Sequence, residues 1–463
     1  MTDKKDLKRT LGFFDSTAIV MGSMIGSGIF IVSADMARTL GSPGWLLIAW
    51  ILTGLITLTA ALSYGELAAM FPQAGGMYVY LREAYGKLPA FLYGWTLFTV
   101  IQSGTIAAVA VAFSKFSGVI FPIVSSSNWI FKFCGVGKYN IGLNTENLLA
   151  IISIIFLTWV NTRGLETGKW IQNIFTFTKV IALLGLIFLG ITIGRNINAI
   201  NLNINNFWDS SFTFVEACRG MPLLGVAMVG SLFSAIAWDT ITYTAGEVKN
   251  PRVNIPLSLA IGSGVVVILY FLVNVVYLCV LPFHEIQSAT NDRVGTLAAS
   301  MIFGSFGEVI MALLIMISTF GCNNGIILST ARVYYAMAKD KLFFKKAGEL
   351  NQYSVPQWAL IMQCIWTCLL CLSGTYMDLL DYVIFAVLIF YVLTIIGLFV
   401  LRIKRPEIER PYKAFGYPII PALYILFATL ISIDLLIFKP LYTWPGLVIV
   451  ILGIPVYFLW KKE

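Results

Sequence analysis

The chain has 463 residues, of which 58% are hydrophobic and only 12% are charged, and its formal net charge is +8. A soluble protein carries roughly a quarter charged residues, so this composition and a mean hydropathy of +0.84 exclude a protein that lives in water. Lipid is expected to cover most of its surface.

Twelve apolar runs are long enough to cross a hydrocarbon core of about 30 Å. We predict helices and not a barrel, because unpaired backbone polar groups are prohibitive in lipid and because the runs do not alternate between apolar and polar residues. In chain order the runs lie near 12–40, 44–71, 88–120, 146–163, 170–194, 220–248, 254–281, 301–338, 355–374, 377–402, 415–438 and 442–460.

The positions of the basic residues indicate how these helices are oriented. With the amino terminus inside, most of the 31 lysines and arginines fall in segments on the inner side of a twelve-span topology. This is the bias of a multi-pass membrane protein, and it gives no reason to expect a nucleic-acid partner. We expect a protein of the plasma (inner) membrane with both termini in the cytoplasm.

Two outer segments carry further expectations. The asparagine-rich stretch 195–211 is expected to be irregular. Cys134 lies in the outer loop between spans 3 and 4, where it permits a disulfide to a second chain without requiring one. The sequence therefore does not decide whether the chain has a partner subunit.

The first span is interrupted in its middle, within Met21–Phe30. Its residues Gly26, Ser27 and Gly28 lower the cost of leaving helical geometry, because glycine tolerates backbone angles that other residues avoid. An unwound step would present backbone amides at the start of an outer half-helix, which favours a bound carboxylate. The alternative is a small-residue face packed against another helix, for which Gly22 and Gly26 qualify. The motif alone leaves both interpretations open.

A second interruption lies in span 6, at Phe233–Asp239. A break at Ser234–Ala237 would leave carbonyl groups unpaired, and an ammonium group would satisfy them. The alternative is a straight helix that packs through small residues. Paired interruptions in corresponding spans of two halves are typical of the substrate site of a secondary transporter, and amides from one break with carbonyls from the other describe a receptor for a zwitterion.

Lys179 is the most informative charge in the chain. It lies roughly 12 Å into span 5 at the helical rise of about 1.5 Å per residue. A buried ammonium is costly at that depth and indicates a functional site. It could replace a metal cation by donating to carbonyls of the unwound first span. The alternative is snorkelling towards the interface, which needs a shorter climb.

Four further charged residues allow weaker interpretations. Asp239 follows the second break, where it could pair with a hydroxyl, bind a proton or a cation, or cap the inner half-helix, and capping is the simplest of these. Glu66 lies in span 2 near the inside. Glu247 and Arg252 are expected to belong to an inner gate or a helix-end network.

The two interruptions suggest an internal duplication. A repeat of five spans must be followed by a copy that runs upside down, because five is odd. We therefore expect a cytoplasmic tail at 1–11, a first repeat at 12–194 (spans 1–5), an inverted second repeat at 220–402 (spans 6–10) and two additional spans at 415–460.

Much of the chain resembles the amino acid–polyamine–organocation (APC) superfamily, and within it the L-type amino acid transporter branch. The segments that carry the resemblance are Met24–Phe30, Tyr64–Leu67, Phe71–Gly86 and Gly246–Pro251. The resemblance implies an all-α membrane protein with a LeuT-like fold, twelve transmembrane helices in a 5+5 inverted repeat, and discontinuous helices 1 and 6.

The resemblance also implies roles for particular residues, beginning with the substrate's two charged ends. The amides of Ser27 and Gly28, together with that of Gly26, would hold the carboxylate. The carbonyls of Met24, Phe233 and Ile236 would hold the ammonium, with Phe233 as an outer aromatic gate, and Lys179 would stand in for a sodium ion between spans 1, 5 and 8. Weaker candidates for lining the pocket are Thr99, Gln102, Ser103, Ser318 and Asn324.

Two positions depart from the pattern of the relatives. Ile236 stands where relatives commonly have glycine or an acidic residue, and it would favour small or medium neutral substrates if it faces inward. Asp239 stands where asparagine is frequent, so it keeps a cationic substrate or proton coupling possible.

The sequence therefore predicts a sodium-independent secondary transporter of neutral amino acids that works by alternating access, as an exchanger. The alternatives are a proton-coupled carrier of cationic amino acids or polyamines, and a non-transporting amino-acid sensor or partner subunit. An enzyme is disfavoured, because the spans contain no nucleophile–base or metal-ligand spacing, and no cofactor is expected.

Overall fold

The computed structural model describes residues 9–136, 139–208, 214–372 and 376–460, and these residues are mostly helical. The α-helices among them are α1 Phe13–Met24, α2 Gly28–Leu40, α3 Pro43–Met70, α4 Met77–Tyr85, α5 Lys87–Thr96, α6 Gln102–Ile120, α7 Thr145–Asn161, α8 Leu165–Thr192, α9 Ile197–Asn205, α10 Phe214–Ala235, α11 Thr240–Tyr243, α12 Pro251–Val280, α13 Phe283–Gln287, α14 Val294–Lys339, α15 Gln357–Leu370, α16 Tyr376–Lys404, α17 Ile419–Phe438 and α18 Pro440–Trp460.

Short segments of other geometry connect some of these helices. A π-helical turn at Leu97–Ile101 joins α5 to α6. The 3-10 turns are Ala245–Glu247, Thr290–Asp292 and Lys345–Gly348. Within α14 the backbone leaves helical geometry at Gly304, where φ is +65°.

Nine helical segments of the described residues are long and apolar enough to cross a membrane. The joined pairs α1–α2 and α5–α6 each count as one of these segments. Three shorter apolar helices, at Thr145–Asn161, Leu223–Ala235 and Gln357–Leu370, lie within three of the remaining apolar runs. Their number and apolar character make the chain a multi-pass membrane protein.

Two segments between the long helices differ from the expectations. The loop before α7 forms an antiparallel hairpin of β1 (Trp129–Val136, which includes Cys134) and β2 (Tyr139–Asn144), so the chain is not entirely α-helical. The stretch expected to be irregular contains α9. The Asn196 side-chain oxygen accepts hydrogen bonds from the amides of Asn198 and Ala199, so this asparagine begins a helix by capping it.

The core of the bundle consists of helices distant in sequence. α12 packs along α3 and α1, whereas α14 packs along α6 and α8. Close contact between α1 and α12 depends on Gly262, since a Cβ atom there would lie 2.7 Å from a methyl carbon of Val20. α1 also packs against α8 and α14, so these three helices meet around the first interruption.

Backbone pairing and a buried ion pair join the amino-terminal segment to the region after the second interruption. The amides of Thr10 and Leu11 donate to Glu247 O at 2.9 and 3.0 Å, and Lys249 N donates to Leu11 O at 2.8 Å. The Glu247 carboxylate accepts from Arg332 Nη2 at 3.2 Å and from Nε at 3.3 Å, with both side chains buried. Glu247 therefore belongs to a helix-end network, as expected.

The other two charged residues expected near helix ends also have partners. The Glu66 carboxylate is buried, and it accepts from Arg402 Nε at 2.9 Å and from the backbone amide of Ala414 at 2.7 Å. This ties α3 to the segment between α16 and α17. Arg252 pairs instead with Glu409 at 2.8 Å, on the exposed surface.

We expect Glu247→Leu to destabilise the protein by about 3–5 kcal/mol, because it leaves the Arg332 guanidinium buried without its carboxylate. The double variant Glu247→Leu/Arg332→Met should recover most of that loss, since it removes both charges. Thermal unfolding of the purified protein in detergent measures the effect. Arg252→Ala is the control, because an exposed ion pair contributes little. Equal unfolding temperatures for Glu247→Leu and Arg252→Ala would contradict the importance of the buried pair.

Candidate functional site

The first interruption separates two helices by three residues. α1 ends at Met24 and α2 begins at Gly28; between them Ile25 has an extended backbone (φ −75°, ψ 90°). Ile25 N still donates to Met21 O at 2.9 Å, and Phe30 N donates to Ser27 O at 3.0 Å. The first amides of a helix have no acceptor within it, so the start of α2 directs amides and positive dipole character into the bundle.

The second interruption is similar in length but different in geometry. α10 ends at Ala235, and α11 begins at Thr240. Ala237 has a left-handed backbone with φ of +68°, which residues other than glycine adopt rarely. Thr240 holds this turn, since its amide and its hydroxyl both donate to Ala237 O, at 3.3 and 2.8 Å.

The two interruptions lie in direct contact. A Cβ atom at Gly28 would lie 2.0 Å from Ser234 Oγ, so glycine is required there by the close approach of α10. The hydroxyl of Tyr270, on α12, lies 2.8 Å from Met24 O and 3.2 Å from Ser234 O, so one proton bridges carbonyls of both interruptions. Tyr270 was not expected from the sequence, because nothing distinguishes it there from the other aromatic residues of its span.

A cavity lies between the interruptions. The structure places six of the residues expected to bind substrate on its wall: Met24, Gly26, Ser27, Gly28, Phe233 and Ile236. The other residues on the wall were not expected from the sequence, and they are Ser23, Thr105, Val109, Ser234, Ala237, Cys322 and Ile326. None of these thirteen residues is charged, so the cavity presents backbone dipoles and small polar or apolar side chains.

Lys179 lies behind the first interruption and not on the cavity wall. Its Nζ donates to Gly22 O at 2.6 Å, to Ile25 O at 2.8 Å and to Ser318 O at 3.3 Å. The lysine side chain is 1% exposed. One ammonium group on α8 therefore connects the end of α1 and the first residue of the interruption to α14. It does not reach a surface as a snorkelling lysine would.

Gly22 and Gly26 have different surroundings. A Cβ atom at Gly22 would lie 2.2 Å from polar atoms of Gln172 and Thr176, which shows close packing against α8. At Gly26 the nearest atom would be Cys322 Sγ, 3.2 Å away. The packing interpretation therefore applies to Gly22, whereas Gly26 lies at the cavity.

The three weaker candidates in span 3 do not line the cavity. Thr99 and Ser103 donate their hydroxyl protons to carbonyls of their own helix, those of Trp95 and Phe98, and Gln102 is buried one turn before Thr105. Thr105 is the first residue of α6 on the cavity wall. The π-helical turn at Leu97–Ile101 adds a residue and rotates the rest of the span, which displaces the cavity-facing side of α6 from these three positions.

The two candidates of span 8 also lie off the wall. Ser318 Oγ donates to Ile25 O at 3.1 Å, so this residue supports the interruption from behind. Asn324 Oδ1 accepts from Asn161 Nδ2 at 3.0 Å, which connects α14 to α7. Cys322, between these two positions, is the α14 residue that a Cβ atom at Gly26 would approach most closely.

Asp239 does not cap α11. Its backbone is in the right-handed helical region (φ −78°, ψ −7°) and its side chain makes no capping bond, whereas a capping residue usually has an extended backbone. The carboxylate instead accepts from the hydroxyls of Tyr243 at 2.7 Å and Tyr391 at 2.9 Å. The Tyr243 hydroxyl also lies 2.9 Å from that of Tyr93. Of the interpretations open for Asp239, the structure shows hydroxyl pairing.

The chain is similar to known proteins over nearly its whole length. The family described as "Amino acid permease" matches residues 11–456. The human "Large neutral amino acids transporter small subunit 2" is 31% identical over 461 residues, which cover 98% of the chain and 80% of that relative. The "Serine/threonine exchanger SteT" of Bacillus subtilis (strain 168) is 28% identical, covering 100% and 99%. The human "b(0,+)-type amino acid transporter 1" is 29% identical, covering 98% and 88%.

Replacing Lys179 tests the support behind the first interruption. Lys179→Met should destabilise the protein by about 1–3 kcal/mol, because three buried carbonyls lose the hydrogen bond from the ammonium group. Thermal unfolding in detergent measures this loss. Thr178→Ala is the matched control, since its hydroxyl bonds only to the preceding turn of its own helix. If both variants unfold at the same temperature, the ammonium does not hold the interruption.

Proposed function

The chain belongs to the amino acid permease family, and on that premise we propose that it carries neutral amino acids across a membrane without sodium. Transport proceeds by alternating access, and one amino acid is exchanged for another. Its similarity to proteins whose names describe amino acid transporters and an exchanger supports this proposal. It acts as a transporter and not as an enzyme.

The observation that carries the proposal is the opposed arrangement of the two interruptions around one uncharged cavity. The start of α2 offers the amides of Ser27 and Gly28 to a carboxylate, with the positive end of the helix dipole behind them. Across the cavity, the end of α10 offers the carbonyls of Phe233 and Ile236 to an ammonium, together with that of Met24. A zwitterion fits this arrangement, and the absence of charge on the wall favours a neutral side chain.

Independence from sodium follows from the place of Lys179. Its ammonium binds the carbonyls of Gly22 and Ile25 and that of Ser318, which are the kind of ligands that a sodium ion would need between an unwound helix and α14. A fixed cation of the protein makes a dissolved one unnecessary. We therefore assign Lys179 the role of a cation surrogate.

The architecture that supports this function is a duplicated bundle. Residues 12–194 and 220–402 form two inverted repeats of five spans, and 415–460 adds two spans. Each repeat begins with a discontinuous span, α1–α2 in the first and α10–α11 in the second. The tail at 1–11 and the carboxyl terminus lie in the cytoplasm, and the protein resides in the plasma (inner) membrane.

We assign the closing of the cavity on its two sides to two sets of contacts. On the inner side, Leu11 pairs with the backbone next to Glu247, whose carboxylate binds Arg332. On the outer side, Arg38 Nη1 lies 2.8 Å from Asp292 Oδ1 and 2.9 Å from Gln287 O. Alternating access requires that each set of contacts opens in turn, with Phe233 covering the substrate from the outer side.

The geometry of Asp239 argues against a cationic substrate. The carboxylate lies off the cavity wall, and tyrosine hydroxyls occupy both of its oxygens. A cationic side chain in the cavity therefore meets no carboxylate. Two alternatives, a proton-coupled carrier and a non-transporting sensor, are distinguished from an exchanger by measuring uptake into liposomes.

Preloading liposomes tests exchange. Internal alanine, serine or leucine should accelerate uptake of the same labelled amino acid several-fold, with potassium in place of sodium. If no amino acid of the twenty stimulates uptake, exchange is refuted. A sodium requirement would contradict the role of Lys179, acidification of the liposome interior with uptake would favour proton coupling, and thermal stabilisation by amino acids without flux would favour a sensor.

Protection of Cys322 tests where the substrate binds. The thiol lies on the cavity wall, so saturating alanine should slow its modification by a small permeant methanethiosulfonate at least fivefold, measured by mass spectrometry. Cys279, half-buried on α12, is the internal control whose rate should not change. Equal rates at Cys322 with and without a transported substrate would place the binding site elsewhere.

A further inference from the structure

The end of α14 and the loop that connects it to α15, residues 339–356, form a basic surface at one end of the helix bundle. The proposed transport function does not use this surface. Four lysine side chains within eight residues of it are exposed, and they are Lys339, Lys341, Lys345 and Lys346.

The loop is held in place from its buried side. Leu342, Phe343 and Ala347 are buried. The ring of Phe343 stacks on that of Tyr334 with centroids 5.4 Å apart, and Leu342 N donates to Met337 O at 2.9 Å, in the last turn of α14. Because the backbone is fixed in this way, the lysines between the buried residues lose little freedom when they bind a ligand.

The turn between α7 and α8 adjoins the same surface. Asn351 Nδ2 donates to Thr162 O at 2.8 Å. A Cβ atom at Gly164 would lie 3.7 Å from that of Tyr353. Arg163, between these two contacts, is exposed. We define the basic rim as the four lysines together with Arg163.

Aromatic rings hold two of the five cations. Lys346 Nζ lies 4.9 Å from the ring centroid of Trp358, and the guanidinium carbon of Arg163 lies 5.0 Å from that of Trp159. A cation over an aromatic face is attracted to it without being neutralised. These contacts therefore fix where the two charges lie and leave them available to an anion.

The tryptophans around the rim lie at helix ends. Trp159 is in the last turn of α7, Trp358 is in the first turn of α15, and Trp460 ends α18. The exposed ring of Phe344, in the loop, lies 4.9 Å from that of Trp460. Tryptophan at the ends of membrane helices is typical of the level of the lipid headgroups. The basic rim therefore lies at the height of the lipid phosphates.

The rim carries an excess of positive charge. The loop contains two acidic residues, and one of them, Asp340, is occupied by the Tyr78 hydroxyl at 2.8 Å and by the Arg82 guanidinium. Glu349 is left for five cations. Within the part of the chain that the structure describes, none of these five side chains forms an ion pair.

We propose that the basic rim binds the headgroup of an anionic phospholipid. Clusters of basic residues next to a membrane span attract anionic lipids, and lysine binds phosphate as a point charge. The tryptophans and Phe344 favour a lipid over a soluble anion, because they place apolar contacts for the lipid beside the cations. The inference does not depend on the proposed transport function, since binding is measured directly.

The experiment titrates phosphatidylglycerol into the purified protein in detergent and measures thermal unfolding, because a ligand of the folded state raises the unfolding temperature. Phosphatidylglycerol should stabilise the protein more than neutral phosphatidylcholine does. The variant Lys345→Gln/Lys346→Gln should weaken the affinity for phosphatidylglycerol at least tenfold, since each basic residue near an anionic surface contributes about fivefold. Lys345→Arg/Lys346→Arg keeps both charges and should bind as the wild type does.

A matched control removes the same charge elsewhere. Lys404 and Lys413 are exposed near the connection between α16 and α17, where Glu407 and Glu409 offset them. Lys404→Gln/Lys413→Gln should leave the affinity for phosphatidylglycerol unchanged. An equal loss in both glutamine variants would show a general effect of net charge and would refute the basic rim as the site.

A soluble phosphate distinguishes a lipid site from a site for a free anion. Glycerol 1-phosphate carries the phosphate without acyl chains, and it should not stabilise the protein at the concentration at which phosphatidylglycerol is half-saturating. Equal stabilisation by the two compounds would overturn the lipid proposal in favour of a free anion. Equal stabilisation of the wild type by phosphatidylglycerol and phosphatidylcholine would overturn it altogether.

Discussion

The structure depends on a contact between one ammonium group and the backbone of an interrupted helix. An unwound step inside a membrane leaves carbonyls that water cannot reach, and each unpaired group costs several kcal/mol. Lys179 supplies hydrogen bonds to Gly22 O and Ile25 O and extends to Ser318 O on the neighbouring helix. The carbonyls in turn stabilise a charge that would be costly alone at that depth. The buried ammonium group and the unpaired carbonyls, each unfavourable alone, therefore stabilise one another.

The second constraint is the close contact of the two interruptions. Gly28 lets Ser234 approach so closely that no side chain fits between them, and Tyr270 bridges a carbonyl from each side. Because of this contact, the amides of one helix start and the carbonyls of one helix end share a single cavity. In the proposed function, this shared cavity makes one site for a zwitterion out of two groups that would separately favour two different ions.

The sequence was sufficient for features that arise from local chemistry, such as the glycines around Ser27 and a lysine deep in an apolar run. It was insufficient where the direction of a side chain depends on the geometry of the preceding part of its helix. The π-helical turn before Gln102 changes which face of α6 meets the cavity, so Thr105 lines it where Thr99 and Ser103 were expected. Tyr270 was missed because its role comes entirely from partners 36 and 246 positions away in the chain, and no local pattern records such distances.

The cavity wall is uncharged, and the buried charges near it are bound by other groups of the protein. Lys179 and Asp239 are buried near the interruptions, and each is bound by protein groups: Lys179 by backbone carbonyls, Asp239 by the hydroxyls of Tyr243 and Tyr391. Neither is left to attract a charged side chain. In the proposed function, the substrate therefore meets a pair of opposed backbone dipoles, which match the two charges common to every amino acid. Under the same proposal, discrimination between amino acids depends on the side chains of the cavity wall.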